Sequence, residues 1–320
     1  MANIYRKIYK EIKKFQNIII ARHIGADPDA LGSQFALREL IKNRFPNKNV
    51  YAIGNPSSRF KFMGILDKLE EIDKENTLLI VLDTPDKKRI DGVQVEKYPN
   101  VIKIDHHPFV EQYAKIELID EQSSSTSQLI LEFIFKNRLA ISHEIAKNLY
   151  IGIVSDTGRF MHDYTSQKTF ELVNKLLKKT NIKFTELYEP LYMRPLSEIR
   201  FQGYIYENME VTEEGVAYIK ITEDLLKEYG VDSASSGNII SELKYIDEII
   251  IWIFLTEDKK SNLIRANIRS RGPIINEVAS TYGGGGHKYA SGARLTSWEQ
   301  ADHLIEDLEE IAYNYRKEQK

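Results

Sequence analysis

The sequence predicts an α/β protein of two domains. The first has a mainly parallel sheet with helices on both faces, the second is a smaller mixed-sheet α/β domain, and the active-site cleft lies between them. Three observations predict this. From the amino end to about residue 180, short apolar runs alternate with helical patterns, which is how strand–crossover–strand units read in a sequence. Three of those runs end in ligand-type side chains: residues 17–22 in His23, residues 78–82 in Asp83 and residues 101–104 in Asp105-His106-His107. Ligands of open α/β sheets bind beyond the carboxyl ends of the strands, so these residues are expected to converge. Past residue 208 the pattern changes to hairpins.

The elements follow in order. Ile4, Ile8, Ile12 and Phe15 are spaced as the apolar stripe of an amphipathic helix, and no apolar core followed by a cleavage site precedes them. Strand 17–22, helix 29–44 and strands 49–53, 78–83 and 101–104 come next. Helices 125–137, 143–154 and 166–179 follow, the first two preceded by the capping hydroxyls of Ser123 to Thr126 and of Ser142. Residues 184–208 carry Pro190 and Pro195 and read as a connecting helix or linker, which divides the chain into 1–183, 184–208 and 209–320. In the last part, Met209 to Thr212 and Val216 to Ile221 pair across Glu213-Glu214-Gly215. Glu248 to Glu257 and Leu263 to Arg271 pair across Asp258 to Asn262.

Composition narrows the chemistry. Lysine plus arginine (44) nearly balances aspartate plus glutamate (47), a formal charge of -3, so no global field holds a long polyanion and phosphate recognition has to be local. The absence of cysteine removes disulfides, thiolate metal sites and cysteine nucleophiles together, leaving His and carboxylate as metal ligands. The apolar run 249–255 is far short of the roughly 20 residues of a spanning helix, and a cytoplasmic protein without membrane partners is expected.

His23, Asp27 and Asp29 fall on the turn from a strand into a helix. Taken alone, Asp27 reads equally well as an N-cap, Pro28 as the first helical residue and Asp29 as a first-turn acid. Asp83 with Thr84-Pro85 could simply open a turn. The doublet His106-His107 and a further acid, Asp156, after the apolar stretch Ile151 to Val154 make four such places, and independent bland explanations at all four become improbable together.

At this point the sequence resembles the DHH phosphoesterase superfamily. His23-x-x-x-Asp27-x-Asp29, Asp83, Asp105-His106-His107 and Asp156 reproduce its four motifs in order over about 135 residues. The resemblance implies that His23, Asp27 and Asp83 hold one divalent ion, that Asp29, Asp83, His106 and Asp156 hold a second, and that Asp83 bridges them. Several carboxylates in one crevice repel unless cations neutralise them. Mixed oxygen and imidazole ligation suits Mn²⁺, with Mg²⁺, Co²⁺ or Fe²⁺ as substitutes. Two ions about 3.5–4 Å apart can clamp the attacking and leaving oxygens of an in-line phosphoryl displacement. By resemblance His107 faces the substrate phosphate as a catalytic imidazole rather than a ligand, and Asp105 is expected behind the ligands, orienting a ligand histidine.

In the second domain, strand alternation sets Arg265, Asn267, Arg269 and Arg271 on one face and Ala266, Ile268 and Ser270 on the other, giving three guanidiniums in register. Gly283 to Gly286, before His287, read as a tight loop whose backbone amides could cradle phosphate. Arg269-Ser270-Arg271, Gly284-Gly285-Gly286-His287 and Ala290-Ser291-Gly292-Ala293 together resemble the DHHA1 domain, with Tyr282 where that family commonly has Phe. Arg269, Ser270, Arg271, Gly284, Gly285, Gly286 and His287 are thereby the expected phosphate-binding set.

The combination resembles the nanoRNase and 3′-phosphoadenosine-5′-phosphate phosphatase branch, from about residue 15 to 315. That branch implies hydrolysis of short oligoribonucleotides such as nanoRNA and pApA to mononucleotides, and of pAp to AMP. It implies short RNA or small nucleotides rather than long duplexes as partners, and is compatible with a homodimer. Rival expectations are a cyclic di-AMP phosphodiesterase, a RecJ-like single-strand exonuclease, a family II pyrophosphatase, and a non-catalytic nucleotide-binding regulator with structural metals. The exonuclease normally needs an added nucleic-acid-binding domain, and the pyrophosphatase lacks the Gly-rich His signature.

Overall fold

The computed structural model describes residues 2–69, 71–233 and 239–319, which form two compact units, Met1–Met193 and Arg194–Lys320. The boundary falls within the stretch that reads as a linker.

In the first unit a five-stranded, fully parallel sheet runs in the order β2-β1-β3-β4-β5. Its strands are β1 (Asn17–Ala21), β2 (Asn49–Ala52), β3 (Thr77–Leu82), β4 (Asn100–Asp105) and β5 (Ile116–Ile119). β5 has no counterpart in the sequence-based expectation, because its four residues offer too short an apolar alternation to stand out. β3 is buried at every position, as a central strand sandwiched on both faces must be.

Strand alternation divides the first core in two. Ile18, Ile20, Leu78, Ile80, Leu82, Ile102 and Ile104 face one side, where the buried apolar residues of α1 (Ala2–Lys14), α2 (Pro28–Arg44), α3 (Thr126–Lys136), α4 (His143–Asp156) and α5 (Gln167–Thr180) pack on them. Ile19, Ala21, Leu79, Val81 and Val101 face the other side, roofed by Ile53, Ile90, Val95, Tyr98 and Ala114 from loops and single 3₁₀ turns. The segments supplying that roof are too short for long crossover helices.

The sheet order reverses direction at β1 and β3. From β1 the chain crosses to β2 on one side, then returns to place β3 on the other, so a crevice opens at the carboxyl ends of β1 and β3. His23 and Asp83 stand at those two ends.

After α6 (Tyr188–Tyr192), α7 (Leu196–Asn208) belongs to the second unit, with Phe201 and Ile205 wholly buried in its core. That unit has a mixed six-stranded sheet, β10-β11-β9-β8-β7-β6, in which β7 and β8 are parallel and the other pairs antiparallel. The strands are β6 (Glu210–Val211), β7 (Val216–Ile221), β8 (Ile251–Asp258), β9 (Leu263–Ser270), β10 (Gly285–His287) and β11 (Ala290–Leu295). One face is covered by α9 (Asn276–Thr281) and α10 (Trp298–Glu318). The other is covered by α7, α8 (Glu223–Tyr229) and the 3₁₀ turn Ile240–Tyr245, which pack on the β7 and β8 side chains Ala217, Ile219, Ile221, Trp252 and Phe254. Among the described residues no helix is long and apolar enough to cross a membrane.

Candidate metal centre

Asp83 is the hub of the first unit's crevice. It follows the last residue of β3 and takes a left-handed backbone conformation (φ 54°), which Asp tolerates better than most side chains. That conformation turns the chain sharply and leaves the two carboxylate oxygens facing opposite partners. Oδ2 lies 3.4 Å from His23 Nε2, and Oδ1 lies 3.5 Å from His106 Nε2 and 3.5 Å from His107 Nδ1.

Around these two oxygens the other acids complete separate clusters. Asp27 Oδ2 is 3.7 Å from His23 Nε2, and Asp156 Oδ2 is 3.4 Å from His106 Nε2. Three trios have potential ligand atoms within 4.8 Å of one another: His23, Asp27 and Asp83; Asp29, His106 and Asp156; and Asp83, His106 and His107. Two ligands of one ion at about 2.1 Å lie about 3.0–3.5 Å apart, so these spacings suit shared cations.

The donor chemistry fits divalent metal. His23 Nδ1 lies 2.9 Å from the Ile24 carbonyl and His106 Nδ1 lies 3.4 Å from the Ser123 carbonyl. A carbonyl can only accept, so each Nδ1 carries a proton, and the neutral ring would then offer its Nε2 lone pair to an ion, the tautomer a metal ligand requires. Asp156 Oδ2 is buried without a hydrogen-bond partner among the described residues, and Asp156 is the last residue of α4, where the helix dipole disfavours an anion. A cation would satisfy both.

Without cations the acids compete for protons. Burial, then the neighbouring carboxylates, hold Asp29 and Asp156 well above the usual carboxylate range, although the hydroxyl and the amide of Ser127 work the other way on Asp29. Burial opposes charge on His23, yet Asp27 and Asp83 raise it to about 10. His106 is pushed down, chiefly by burial. His107 is raised: burial opposes its charge, but the bond to Asp105 and the nearby Asp83 outweigh that.

Local sequence explains each position. Asp27 caps α2, its Oδ1 accepting the amides of Asp29 and Ala30 at 3.0 Å each, while Oδ2 turns to His23. The cap and the ligand readings are therefore both true of one side chain. Asp29 accepts the amides of Thr126 (2.7 Å) and Ser127 (2.8 Å) at the amino end of α3, and Thr126 Oγ1 donates to Asp83 at 3.0 Å. Thr126 was expected only as a capping hydroxyl, and Ser127 was not singled out. The signal that could have found them is a Ser/Thr cluster opening a buried helix in a chain with otherwise unpaired acids. Gly152 lets α4 approach this corner, since a Cβ there would stand 2.0 Å from Ser127 Oγ.

At this centre the role of Asp105 changes. Asp105 was expected to orient a ligand histidine, but its Oδ1 accepts from His107 Nδ1 at 2.8 Å and from the His107 amide at 3.2 Å. Asp105 ends β4 on the roofed face, so the imidazole two residues on is the one within its reach. The pairing leaves His107 Nε2 as the outward nitrogen.

In the second unit, the face of β9, β11 and β10 beyond the cover of α7 and α8 carries Arg265, Asn267 and Arg269 beside Gly292 and Arg294, and a groove of 610 Å³ opens over Arg265, Asn267, Gly284, Gly292 and Arg294. Arg269 is mostly enclosed, which presses its pKa down, and no carboxylate lies within ion-pair reach among the described residues. Arg271 lies just past β9 and is not in register with the others. Its guanidinium donates to the carbonyls of Lys244, Ile246, Asp247 and Ile249 at 3.0–3.3 Å. Ser270 is buried on the opposite face and donates to the Pro273 carbonyl at 2.6 Å. Gly285, Gly286 and His287 form the edge strand β10 rather than a cradling loop. Glycine is needed there because a Cβ at Gly284 would sit 1.9 Å from the Gly292 carbonyl oxygen, and one at Gly286, which has φ 142°, would sit 2.6 Å from that of Ala290.

Comparison with known proteins adds two family matches and close full-length relatives. Residues 17–153 match the DHH family, N-terminal domain, and residues 213–314 match the DHHA1 domain. The chain is 34% identical to the bifunctional oligoribonuclease and PAP phosphatase NrnA of Bacillus subtilis (strain 168), covering 95% of this chain and 97% of that protein. It is 35% identical to the probable bifunctional oligoribonuclease and PAP phosphatase NrnA of Streptococcus mutans, covering 96% and 98%. Among solved structures, an exopolyphosphatase-related protein from Bacteroides fragilis superposes with a TM-score of 0.86 at 24% identity over 98% of both chains, a likeness of fold.

Proposed function

The chain belongs to the DHH family, with a DHHA1 domain following the DHH domain, and from that membership we propose a divalent-metal phosphoesterase that hydrolyses short oligoribonucleotides to mononucleotides and pAp to AMP. The relatives' names supply the substrate class. The observation that carries the chemistry is the pair of Asp83 oxygens, one turned to His23 with Asp27 and the other to His106 with Asp156.

In this reading His23, Asp27 and Asp83 hold one ion and Asp29, Asp83, His106 and Asp156 hold the other, with Mn²⁺ the best match to mixed oxygen and imidazole donors. Bound divalent ions supply Lewis-acid stabilisation of phosphoryl charge and acidify water. The remaining work belongs to side chains. His107, held by Asp105 through Nδ1 and raised above the ordinary imidazole value against burial by that bond and by Asp83, would present an Nε2 proton to the leaving oxygen, so that charge developing on the ester oxygen is quenched as the P–O bond breaks. Asp29 is fixed by two helix amides and does not have to reorganise.

Arg269 is the proposed anchor for a terminal phosphate, since a largely enclosed guanidinium without an acid partner among the described residues gains most from an anion. His287 on β10 is placed beside Ala290, the residue that pairs with Arg269, and joins it in that role. The test is a turnover panel of pAp, pApA, 5-mer RNA, cyclic di-AMP and pyrophosphate with Mn²⁺ and after chelation. AMP release from pApA and pAp that disappears with chelator is the expected result. Turnover of pyrophosphate alone, or of cyclic di-AMP alone, would replace this reading, and turnover that survives chelation would end it.

A further inference from the structure

Lys103 is a wholly buried lysine that none of the functional assignments uses. It sits in β4 between Ile102 and Ile104, but strand alternation points it with Val101 and Asp105 to the roofed face, away from the helices. An ammonium there is costly unless its surroundings compensate it. Three groups do so. Nζ donates to the Pro85 carbonyl at 2.9 Å, lies 3.6 Å from Asp105 Oδ2, and stands 4.8 Å from the centre of the Tyr113 ring.

Each of these groups leads to the metal centre. Pro85 is two residues beyond Asp83, and the carbonyl between them, that of Thr84, accepts from Tyr113 Oη at 2.6 Å. Lys103 and Tyr113 therefore hold two consecutive carbonyls of the turn that puts Asp83 in its left-handed conformation. The start of that turn is tied to the same strand, because the Asp83 amide donates to the Ile104 carbonyl at 3.0 Å. On the other side, Asp105 Oδ2 has no hydrogen-bond partner among the described residues, and Lys103 is the cation that faces it, while His107 meets the other oxygen of the same buried carboxylate.

We propose that Lys103 is a positioning residue: its ammonium, buried beneath the sheet end, fixes the Asp83 turn through Pro85 and sets the Asp105 carboxylate that holds His107. The proposal rests on the reading of Asp83 as the bridging acid. Its prediction is that removing the charge disturbs metal binding and turnover more than substrate binding, as loss of a group behind metal ligands does.

The test compares Lys103→Met, of similar length without the charge, with Lys103→Arg, which keeps the charge, and with Tyr113→Phe, which frees only the Thr84 carbonyl. Mn²⁺ affinity is read by calorimetry and by the electron paramagnetic resonance of free Mn²⁺. kcat and KM are read on pApA, and folding by thermal melting. Lys103→Met is expected to weaken Mn²⁺ binding and lower kcat by about 10- to 100-fold, with KM within about twofold. Lys103→Arg is expected to recover a substantial part of both losses, and Tyr113→Phe to give a smaller loss of the same kind.

A folded Lys103→Met protein with unchanged Mn²⁺ affinity and kcat and only a lower melting temperature would overturn the proposal. If that variant does not fold, Tyr113→Phe decides: unchanged Mn²⁺ affinity and kcat would overturn it, and a joint loss would support it. Asp83→Asn separates this result from the underlying reading. If Asp83→Asn abolishes Mn²⁺ binding and turnover while the Lys103 and Tyr113 variants alter neither, only the positioning role falls; if Asp83→Asn alters neither, the bridging assignment falls with it.

Discussion

The metal centre of the first unit and the open sheet face of the second are both rich in ionisable side chains, yet they are built in opposite ways. At the centre four of the acids and imidazoles are held by backbone groups: Asp27 by the amides of α2, Asp29 by those of α3, His23 and His106 by carbonyls. On the sheet face the groups are sorted by what they have left over. Arg271 spends its guanidinium on four carbonyls, and Arg265 pairs with Asp258 across its hairpin, whereas Arg269 donates to the Ile268 carbonyl at 2.9 Å and meets no acid among the described residues. Rigid ligation requires preorganised donors, while capture of a flexible phosphate requires an unspent charge. The same residue types serve both ends through their partners.

The sharpest way to break this contrast is at its hub. Asp83→Asn keeps the shape of the side chain and one acceptor oxygen but removes the charge that faces both clusters. It is expected to cut kcat by about 10³-fold or more with the fold intact, measured by turnover at saturating Mn²⁺ and by circular dichroism. Normal turnover at saturating Mn²⁺ would mean that the two clusters do not depend on a shared acid. A smaller loss is expected at His107. His107→Ala should lower kcat by about 10²- to 10³-fold while Mn²⁺ affinity stays within a few-fold, because the imidazole is proposed to move a proton rather than to hold an ion. A parallel loss of Mn²⁺ binding would instead make His107 a ligand, as its trio with Asp83 and His106 permits.

The crowded acids also predict how the metal-free protein responds to pH. Asp29 and Asp156 are raised by burial and by the carboxylates around them, and His23 is raised to about 10 by Asp27 and Asp83 against the effect of burial. In all three the folded pKa lies above the unfolded one. Their contribution to stability is thus complete below the unfolded values, about 4 for Asp and about 6.5 for His, and is lost as pH climbs through the folded values. Divalent ions displace these protons. Mn²⁺ should therefore bind more tightly at pH 8 than at pH 5.5 and release protons as it does, countable by titration calorimetry in buffers of different ionisation enthalpy. At about 100 times its dissociation constant, Mn²⁺ should stabilise the fold by about 2.7 kcal/mol, seen as a higher melting temperature. An affinity that does not change with pH would show that the cluster is already ionised without metal.

How much of this was legible in the sequence follows from the same contrast. His23, Asp83 and Asp105 to His107 could be read because each ends an apolar strand, and the parallel sheet gathers strand ends whatever lies between them. Thr126 was visible as a helix-capping hydroxyl, but neither it nor Ser127 was visible as a partner of Asp29 and Asp83, since those contacts span 97, 43 and 98 residues. On the sheet face, period-two alternation placed Arg265, Asn267 and Arg269 on one side, but it could not see that β9 stops at Ser270 and that Arg271 turns away to the carbonyls before β8. Four glycines in a row announced a close approach without naming its object, which proves to be β11.

The finest test sets two neighbouring arginines against each other. Arg269→Ala removes an unspent charge from the open face and is expected to raise KM for a dinucleotide about 10-fold with kcat within about threefold, the cost of a charge-assisted phosphate contact. Arg271→Ala removes the donor for four carbonyls that hold the segment from Lys244 to Ile249. Its loss should appear in folding, at about 1–3 kcal/mol by denaturant unfolding, with KM changed less than twofold if the remaining fold is intact. Two arginines separated by one serine would then differ in kind, one in binding and one in stability. A KM rise in Arg271→Ala as large as that in Arg269→Ala, without loss of stability, would mean that the carbonyl contacts of Arg271 give way when phosphate arrives.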